Sequence, residues 1–466
     1  MRDIVVTLAV FIGLFLTIRK PFFGILTWTW LGLMNPHMLC WGFAYGFPFA
    51  QLVALATLGA ILINNQEKRQ IPWFAVSKVE ATWWAWMLFT TFFALNPAGA
   101  WSQWDKVWKI QLFVFVTMML LTSKERINAL VWVMMVSLGL YGVKGGAFTL
   151  LTGGSYHVMG PFGTFIGGNN EIGLALIMTV PLMRYVQLQA DSMLLRSAMI
   201  ASMGLTVVAI LGTQSRGALV GITAMITYLV LKSRKKGALI ALLLLLLPFA
   251  YMFMPETWHE RMDTIQTYEE DKSASGRINA WWTAWNIAVD RPFVGGGFET
   301  FREWIVNIYE PRPGEYTARD VHSIYFEALA EHGFVGLALF LMLGLAGILT
   351  ARKIVRETKN EPRLFWMRDL ASMIHVSLIG YAASGAFLGL AYFDFYYTLL
   401  AVLVGLQSLL KKYKTEGIPD TETAAISSRE LVGPGSGGAP RTAKRVSASG
   451  GQGSLTSKLK EFYHKL

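Results

Sequence analysis

Two arginines and one histidine of this chain sit where their chemistry needs an explanation. His322 opens the segment HSIYFEALAEHGFVG, in which His322-Ser323 is followed after nine residues by Gly333-Phe-Val-Gly336. The segment comes at the end of the longest polar loop, just before the apolar chain resumes. A free imidazole titrates near ~6.5, so a histidine at such a boundary is a candidate proton-transfer group.

Arg216 lies in Gly212-Thr-Gln-Ser-Arg-Gly217, between two apolar runs. A guanidinium at membrane depth needs an anionic partner or a wet cavity. Arginine is also the side chain that clamps a pair of phosphate oxygens through two parallel hydrogen bonds. Gln214 and Ser215 add hydrogen-bonding groups, and the flanking glycines permit close backbone approach. The competing reading is an arginine that snorkels to the interface. Arg277, in Ser275-Gly276-Arg277, is expected at the start of a helix over Ile278–Val289, where the helix dipole would add to its field. Two such arginines together would suit a pyrophosphate. Lys106 and Lys109, expected to begin an apolar span over Val107–Leu121, either extend that anionic site or touch lipid headgroups. The Gly160–Gly168 stretch leads into Asn169-Asn170-Glu171 and a helix start on the same side; it lines the same cavity or is an ordinary glycine-rich turn.

The missing motifs narrow the chemistry. The sequence has no His-Glu-x-x-His, no paired-cysteine zinc pattern, no phosphate-binding P-loop and no Gly-x-Ser-x-Gly elbow. Gly295–Gly297 lacks the spacing of a dinucleotide site. No metal, no cofactor and no covalent serine intermediate are therefore expected. Glu269-Glu270-Asp271 reads as a solvated acidic cluster. His332, inside the motif, is expected to pack, and His375 and His37 have no motif around them. The single cysteine, Cys40, excludes an internal disulfide.

The elements that must position these groups are membrane helices. Of 466 residues, 54% are hydrophobic and only 15% charged, with mean hydropathy +0.43. That is too little polar surface for a soluble domain. Apolar runs of about 15–25 residues recur, the length that crosses ~30 Å of hydrocarbon. They fall near Ile4–Ile18, Phe22–Leu33, Phe47–Ile63, Ala81–Leu95, Val107–Leu121 and Ile127–Leu150. Further runs are Ile172–Val186, Leu195–Leu211, Leu219–Leu231, Ala238–Met254, Val335–Leu349, Leu370–Leu390 and Phe395–Leu410. The fold class expected is all-α and polytopic, with about 12 transmembrane helices, because only helices satisfy their own backbone in lipid at this length.

Lysines and arginines set the orientation. Lys68, Arg69 and Lys78 share one loop, Lys124 and Arg126 another, Lys232–Lys236 a third and Arg352–Arg368 a fourth; Lys411, Lys412 and Lys414 follow the last run. These are expected to face the cytoplasm, and the Gly153–Asn170 and Glu256–Asp320 loops the opposite side. Arg19 and Lys20 leave the side of the N-terminus open, and Met1-Arg2-Asp3 before an apolar run reads as an uncleaved anchor. The formal net charge of +11 follows from this topology and the basic tail, not from a nucleic-acid-binding face.

Four segments follow: N-terminal transmembrane helices over 1–255, a large helical loop over 256–320, C-terminal transmembrane helices with the histidine motif over 321–412, and a disordered cytoplasmic tail over 413–466. Trp281, Trp282 and Trp285 in the loop share a helical face, either as interfacial anchors or as platforms for sugar rings. The tail is rich in glycine and serine, and Leu455–Leu466 reads either as solvated chain or as a short surface helix.

Taken together, these residues resemble bacterial O-antigen ligases, whose superfamily includes O-antigen polymerases and protein O-oligosaccharyltransferases. The resemblance rests on the His322-Ser323…Gly333-x-x-Gly336 spacing, Gln214-Ser215-Arg216-Gly217, Ser275-Gly276-Arg277 and Pro292…Gly295-x-Gly297, and covers roughly residues 1–412. Met1-Arg-Asp-Ile and Gly142-Val-Lys-Gly-Gly146 also resemble exosortase-associated O-glycosylation ligases. The resemblance implies transfer of an undecaprenyl-pyrophosphate-linked glycan to the lipid A–core at the periplasmic face of the inner membrane, without metal or ATP. It implies a fold similar to the GT-C glycosyltransferases, pyrophosphate binding by Arg216 and Arg277, and His322 as the catalytic histidine, here expected to act as general base. Asp394 is expected to orient His322 or an acceptor sugar. A protein acceptor or a second lipid-linked chain is the alternative. A lipid or glycan transporter, more remote, would show charges in mid-membrane and related halves.

Overall fold

The computed structural model describes residues 1–64, 70–233, 235–256, 258–259, 272–311 and 320–419. Lys68, Arg69, Arg234, the Glu269–Asp271 cluster and the glycine-rich tail from 420 onward lie outside the described residues. Among the described residues the regular structure is entirely helical.

A helix occurs at each apolar run. The chain enters through α1 (Arg2–Arg19), α2 (Phe22–Met34) and α3 (Phe49–Ile63), followed by α4 (Ala75–Thr91) and α5 (Pro97–Leu120). The central bundle contains α6 (Lys124–Leu151), α7 (Asn169–Gln189), α8 (Met193–Gly212), α9 (Arg216–Lys232) and α10 (Lys236–Phe253). Then come α11 (Lys272–Asp290) and the short α12 (Glu303–Tyr309). The chain closes with α13 (Ile324–Glu357), α14 (Phe365–Gly385) and α15 (Asp394–Glu416).

Among the described residues five of these, α6, α7, α8, α10 and α13, are long and apolar enough to cross a membrane, and α2 and α3 are shorter apolar helices. Of the others, some are shorter, as α4 and α9 are at 17 residues each, and some carry charge, as α5 does with Asp105, Lys106 and Lys109. The chain is a multi-pass helical membrane protein.

Several helix starts are written in the sequence. Ser123, Ser192 and Ser215 cap α6, α8 and α9 by accepting from the backbone N–H of Arg126, Leu195 and Ala218. Between helices, glycines allow close approach without a driving force from water. Gly146 of α6 lies against the Leu205 backbone of α8, and Gly142 against Thr206. The Gly142-Val-Lys-Gly-Gly146 run is thus a packing surface.

Consecutive helices run antiparallel, so the basic turns at Lys124, Lys232 and Arg352–Arg368 share one end of the bundle. The Arg126 guanidinium lies 5.4 Å from the Phe22 ring, which brings the Arg19-Lys20 turn to that same end. The N-terminus therefore falls at the other end, with the starts of α7, α9 and α13.

Candidate functional site

The site is built at the end of the bundle opposite the basic turns. There His322 is the residue just before the Ser323 cap of α13, and it adopts a left-handed backbone conformation with φ +48. Non-glycine residues rarely do so without a reason. The surroundings enforce it. Trp281 of α11 donates its indole N–H to the Val321 carbonyl at 3.0 Å and stacks on Phe326 at 5.3 Å. On the other side Ile324 fills the space at Gly385 of α14.

Asp320 stands beside the imidazole, its Oδ2 3.5 Å from His322 Nδ1, and its carboxylate rests on Gly389. The pair is at ion-pair distance but not aligned as a hydrogen bond, since Nδ1 is buried without a hydrogen-bond partner. The His322 side chain as a whole is 36% exposed, so its open edge is the one away from Asp320.

Arg216 is the first residue of α9. The turn before it is held from three directions. Gln214, at φ +51, donates to the Gly154 carbonyl at 2.9 Å. Ser215 donates to Asn170 Oδ1 at 2.6 Å, and Asn169 donates to the Thr213 carbonyl at 2.9 Å. The starts of α7 and α9 are therefore locked together. Gly217 meets Phe387 and Gly221 meets Ser384, which seats α9 on the end of α14. Phe387 in turn lies 6.2 Å from Trp281.

Glu171 joins the two halves. It lies in the first turn of α7, one residue from Asn170, and interacts electrostatically with His322, Asp320 and Arg277. The charges of Arg277 and His322 are thus both felt at Glu171, and the Arg216 turn is bonded to its neighbour Asn170. Arg277 sits in the second turn of α11 rather than at its start, because the helix begins at Lys272. The helix-dipole contribution expected for it is correspondingly weaker, since that field fades within the first turn.

Two expectations are corrected. Lys106 and Lys109 do not begin a span: α5 starts at Pro97, so they lie about 14 and 18 Å along it at ~1.5 Å per residue. Lys109 pairs with Asp105 at 2.7 Å and lies over Trp108 on its own helix. Asp394 begins α15, and its carboxylate packs against Gly32 of α2. The carboxylate beside His322 is that of Asp320. Asp320 is two residues from His322 in sequence, whereas Asp394 lies at the α2–α15 contact.

The glycines of the histidine motif have a structural explanation. At Gly333 the backbone of α13 breaks, with φ +68 and ψ −171, a region open essentially to glycine alone. A side chain there would strike the carbonyl oxygens of Pro292 and Phe293. The Pro292–Gly297 loop docks into this break: Gly296 N–H donates to Ala330 O at 2.7 Å, Gly297 N–H to Glu331 O at 2.8 Å and Phe334 N–H to Pro292 O at 2.9 Å. Gly295 at φ +61 leaves room for Ala330 O, so the two glycine motifs are halves of one joint.

Sequence reasoning missed a buried polar network under that joint. His332 is fully buried, 2.6 Å from Thr90 Oγ1 at Nδ1 and 2.8 Å from the Tyr392 hydroxyl at Nε2. Tyr392 donates to Glu331 at 2.5 Å, and Glu331 also accepts the Glu299 N–H at 2.8 Å. Glu327, one helical turn earlier, accepts the Ala391 N–H at 2.8 Å. His332 does pack, as expected, but as a linker with both nitrogens engaged. The signal available was the four-residue spacing of Glu327 and Glu331, which puts both on one helix face. Glu80 is buried in α4 with neither oxygen hydrogen-bonded, and no pattern in the sequence marked it.

The large loop supports the site from outside. Asn279 donates to Glu310 at 3.2 Å and Asn286 to the Tyr309 carbonyl at 2.8 Å, tying α11 to α12. Tyr309 donates to Asp290 at 2.7 Å; burial, then this bond and the carboxylate charge, push its phenol above the usual range. Among the described residues no group of three or more His, Cys, Asp or Glu side chains is gathered as metal ligands are.

Comparison with known proteins places this geometry. Residues 1–190 match a family of unknown function (DUF5935), which covers the helices from α1 to α7. No curated protein matches the chain. Residues 201–341 match the O-antigen ligase family, a stretch that holds Arg216, Arg277, His322 and the Gly333 joint. Over that stretch the chain is similar to the O-antigen ligase family.

Proposed function

We propose that this protein is an O-antigen ligase that transfers a glycan from undecaprenyl pyrophosphate to a sugar hydroxyl of the lipid A–core. The reaction takes place at the periplasmic face of the inner membrane, without metal or ATP, on a scaffold of the GT-C kind. The observation that carries the reading is the set of contacts at Trp281, one turn after Arg277: it donates to the Val321 carbonyl beside His322 and lies 6.2 Å from Phe387, which packs on Gly217 beside Arg216. The charges of Arg277 and His322 are both felt at Glu171, and the Ser215–Asn170 bond ties the Arg216 turn to the start of the same helix.

In this reading Arg216 and Arg277 hold the pyrophosphate and offset the charge that builds on it as it leaves. An apolar groove of about 610 Å³ along α9, bordered by Leu219, Thr223, Thr227 and Leu231, begins one turn below Arg216 and offers room for the lipid chain. His322 accepts the proton of the acceptor hydroxyl on its exposed edge. The acceptor oxygen attacks the anomeric carbon while the carbon–oxygen bond to the pyrophosphate breaks, which inverts that carbon. Asp320 acts as a positioning residue, holding the imidazole and stabilising the imidazolium.

The test is reconstitution of the purified chain with lipid-linked glycan and lipid A–core. Transfer to the core supports the assignment. Transfer to a pilin-type protein instead, or to a second lipid-linked chain, reassigns the acceptor while keeping the donor chemistry. No transfer to any of the three refutes the reading.

A further inference from the structure

The helix that carries Arg277 has two apolar faces, and only one is covered by protein. Its inner face is mostly small residues: Ala280, Thr283, Ala284 and Ala288, with Ile287 among them, are each fully buried. Its outer face presents Ile278, Trp282, Trp285 and Val289, exposed by 38%, 55%, 42% and 56%. These follow the i, i+4, i+7, i+11 spacing of a single helical stripe. A stripe of two tryptophans and two β-branched residues is not what a helix shows to water, and large exposed apolar patches mark an interaction surface.

We infer that this outer face lies in the interfacial layer of the membrane, with lipid as its partner. Continuity argues for lipid over a protein. Trp285 meets Phe334 edge to face at 5.5 Å, and Phe334 is the first residue after the Gly333 break in α13, a helix apolar enough to cross a membrane. At the far end of α11, Arg291 donates to the Phe93 carbonyl. Phe93 belongs to a second exposed aromatic group, with Phe89 at 5.0 Å from it and Phe92 at 5.1 Å from Trp101. The stripe therefore joins an aromatic belt around the same end of the bundle, as tryptophans do at membrane–water interfaces. A helix seated this way sinks about 5–10 Å into the headgroup and acyl boundary. Arg277, one turn before Trp281, is then carried at the depth of lipid phosphates. The inference deepens the donor assignment proposed above and rests on it only for that last consequence.

The experiment is site-directed spin labelling in vesicles of phosphatidylethanolamine and phosphatidylglycerol, with Cys40→Ala as background. Labels are placed singly at Trp282→Cys, Trp285→Cys and Val289→Cys. Leu140→Cys on the exposed face of α6 serves as the lipid reference and Glu416→Cys as the aqueous one. The expected result is that all three α11 labels favour oxygen over a water-soluble nickel chelate, with contrast between the two references. Contrast equal to that of Glu416→Cys puts the face in water and overturns the inference. Shielding from both reagents means a protein or a second copy covers it, and also overturns it. Because the readout needs no turnover, it stands or falls independently of the transfer assay.

Discussion

His322 turns its backbone through φ +48 to bring Nδ1 within 3.5 Å of the Asp320 carboxylate two residues earlier. In the proposed reaction this pairing gives Asp320 the task of positioning the imidazole. Asp320→Asn is expected to lower kcat by more than it changes KM, and Asp320→Glu to restore part of the loss. A fall in protein yield or melting temperature without that split would mark Asp320 as structural. Steady-state transfer kinetics distinguish the two.

The arginines are expected to need their shape as well as their charge. Lysine keeps the charge but loses the paired hydrogen bonds. Arg216→Lys and Arg277→Lys should each reduce transfer by about 10²-fold, the scale of losing one donor that stabilises developing charge. Lys109→Ala should leave activity near that of the unaltered protein, because Lys109 pairs with Asp105 on its own helix. Transfer rates measured side by side check all three.

Gly333→Ala should cost about 1–3 kcal/mol of stability, the scale of forcing a side chain into a glycine-only conformation. The added methyl would also push the Pro292–Phe293 carbonyls out of the joint. Thermal unfolding in detergent is expected to show a lowered midpoint, and limited proteolysis to show earlier cleavage near residues 292–297.

Tyr392→Phe removes the hydroxyl shared by His332 and Glu331. Leaving those buried groups short of a partner should cost about 1–3 kcal/mol. The expected outcome is a lower unfolding midpoint with transfer by the folded fraction largely kept, since the network supports the joint and touches neither His322 nor Arg216.

Local chemistry was legible before any coordinates. The apolar runs marked the helices, and the oddity of an arginine at Arg216 and a histidine at His322 pointed to one end of the bundle. What escaped was set by packing between distant segments. Nothing near Glu171 in sequence says that it lies within the electrostatic reach of Arg277 and His322, more than a hundred residues away. Asp394 was set beside the histidine on topology alone; its contact with Gly32 of α2, itself remote in sequence, was not legible there. The lysines at 106 and 109 were misplaced because the helix start was read from hydropathy, while Asn96 caps it at Pro97.

The most direct test is the transfer assay on His322→Ala, run with purified protein, lipid-linked glycan and lipid A–core, in the presence of a metal chelator and without ATP. The account expects robust ligation by the unaltered chain and a loss of about 10²–10⁴-fold in the variant, the range a positioned general base contributes. Melting of the variant close to that of the unaltered protein would show that the fold is kept. Full ligation by His322→Ala would contradict the account.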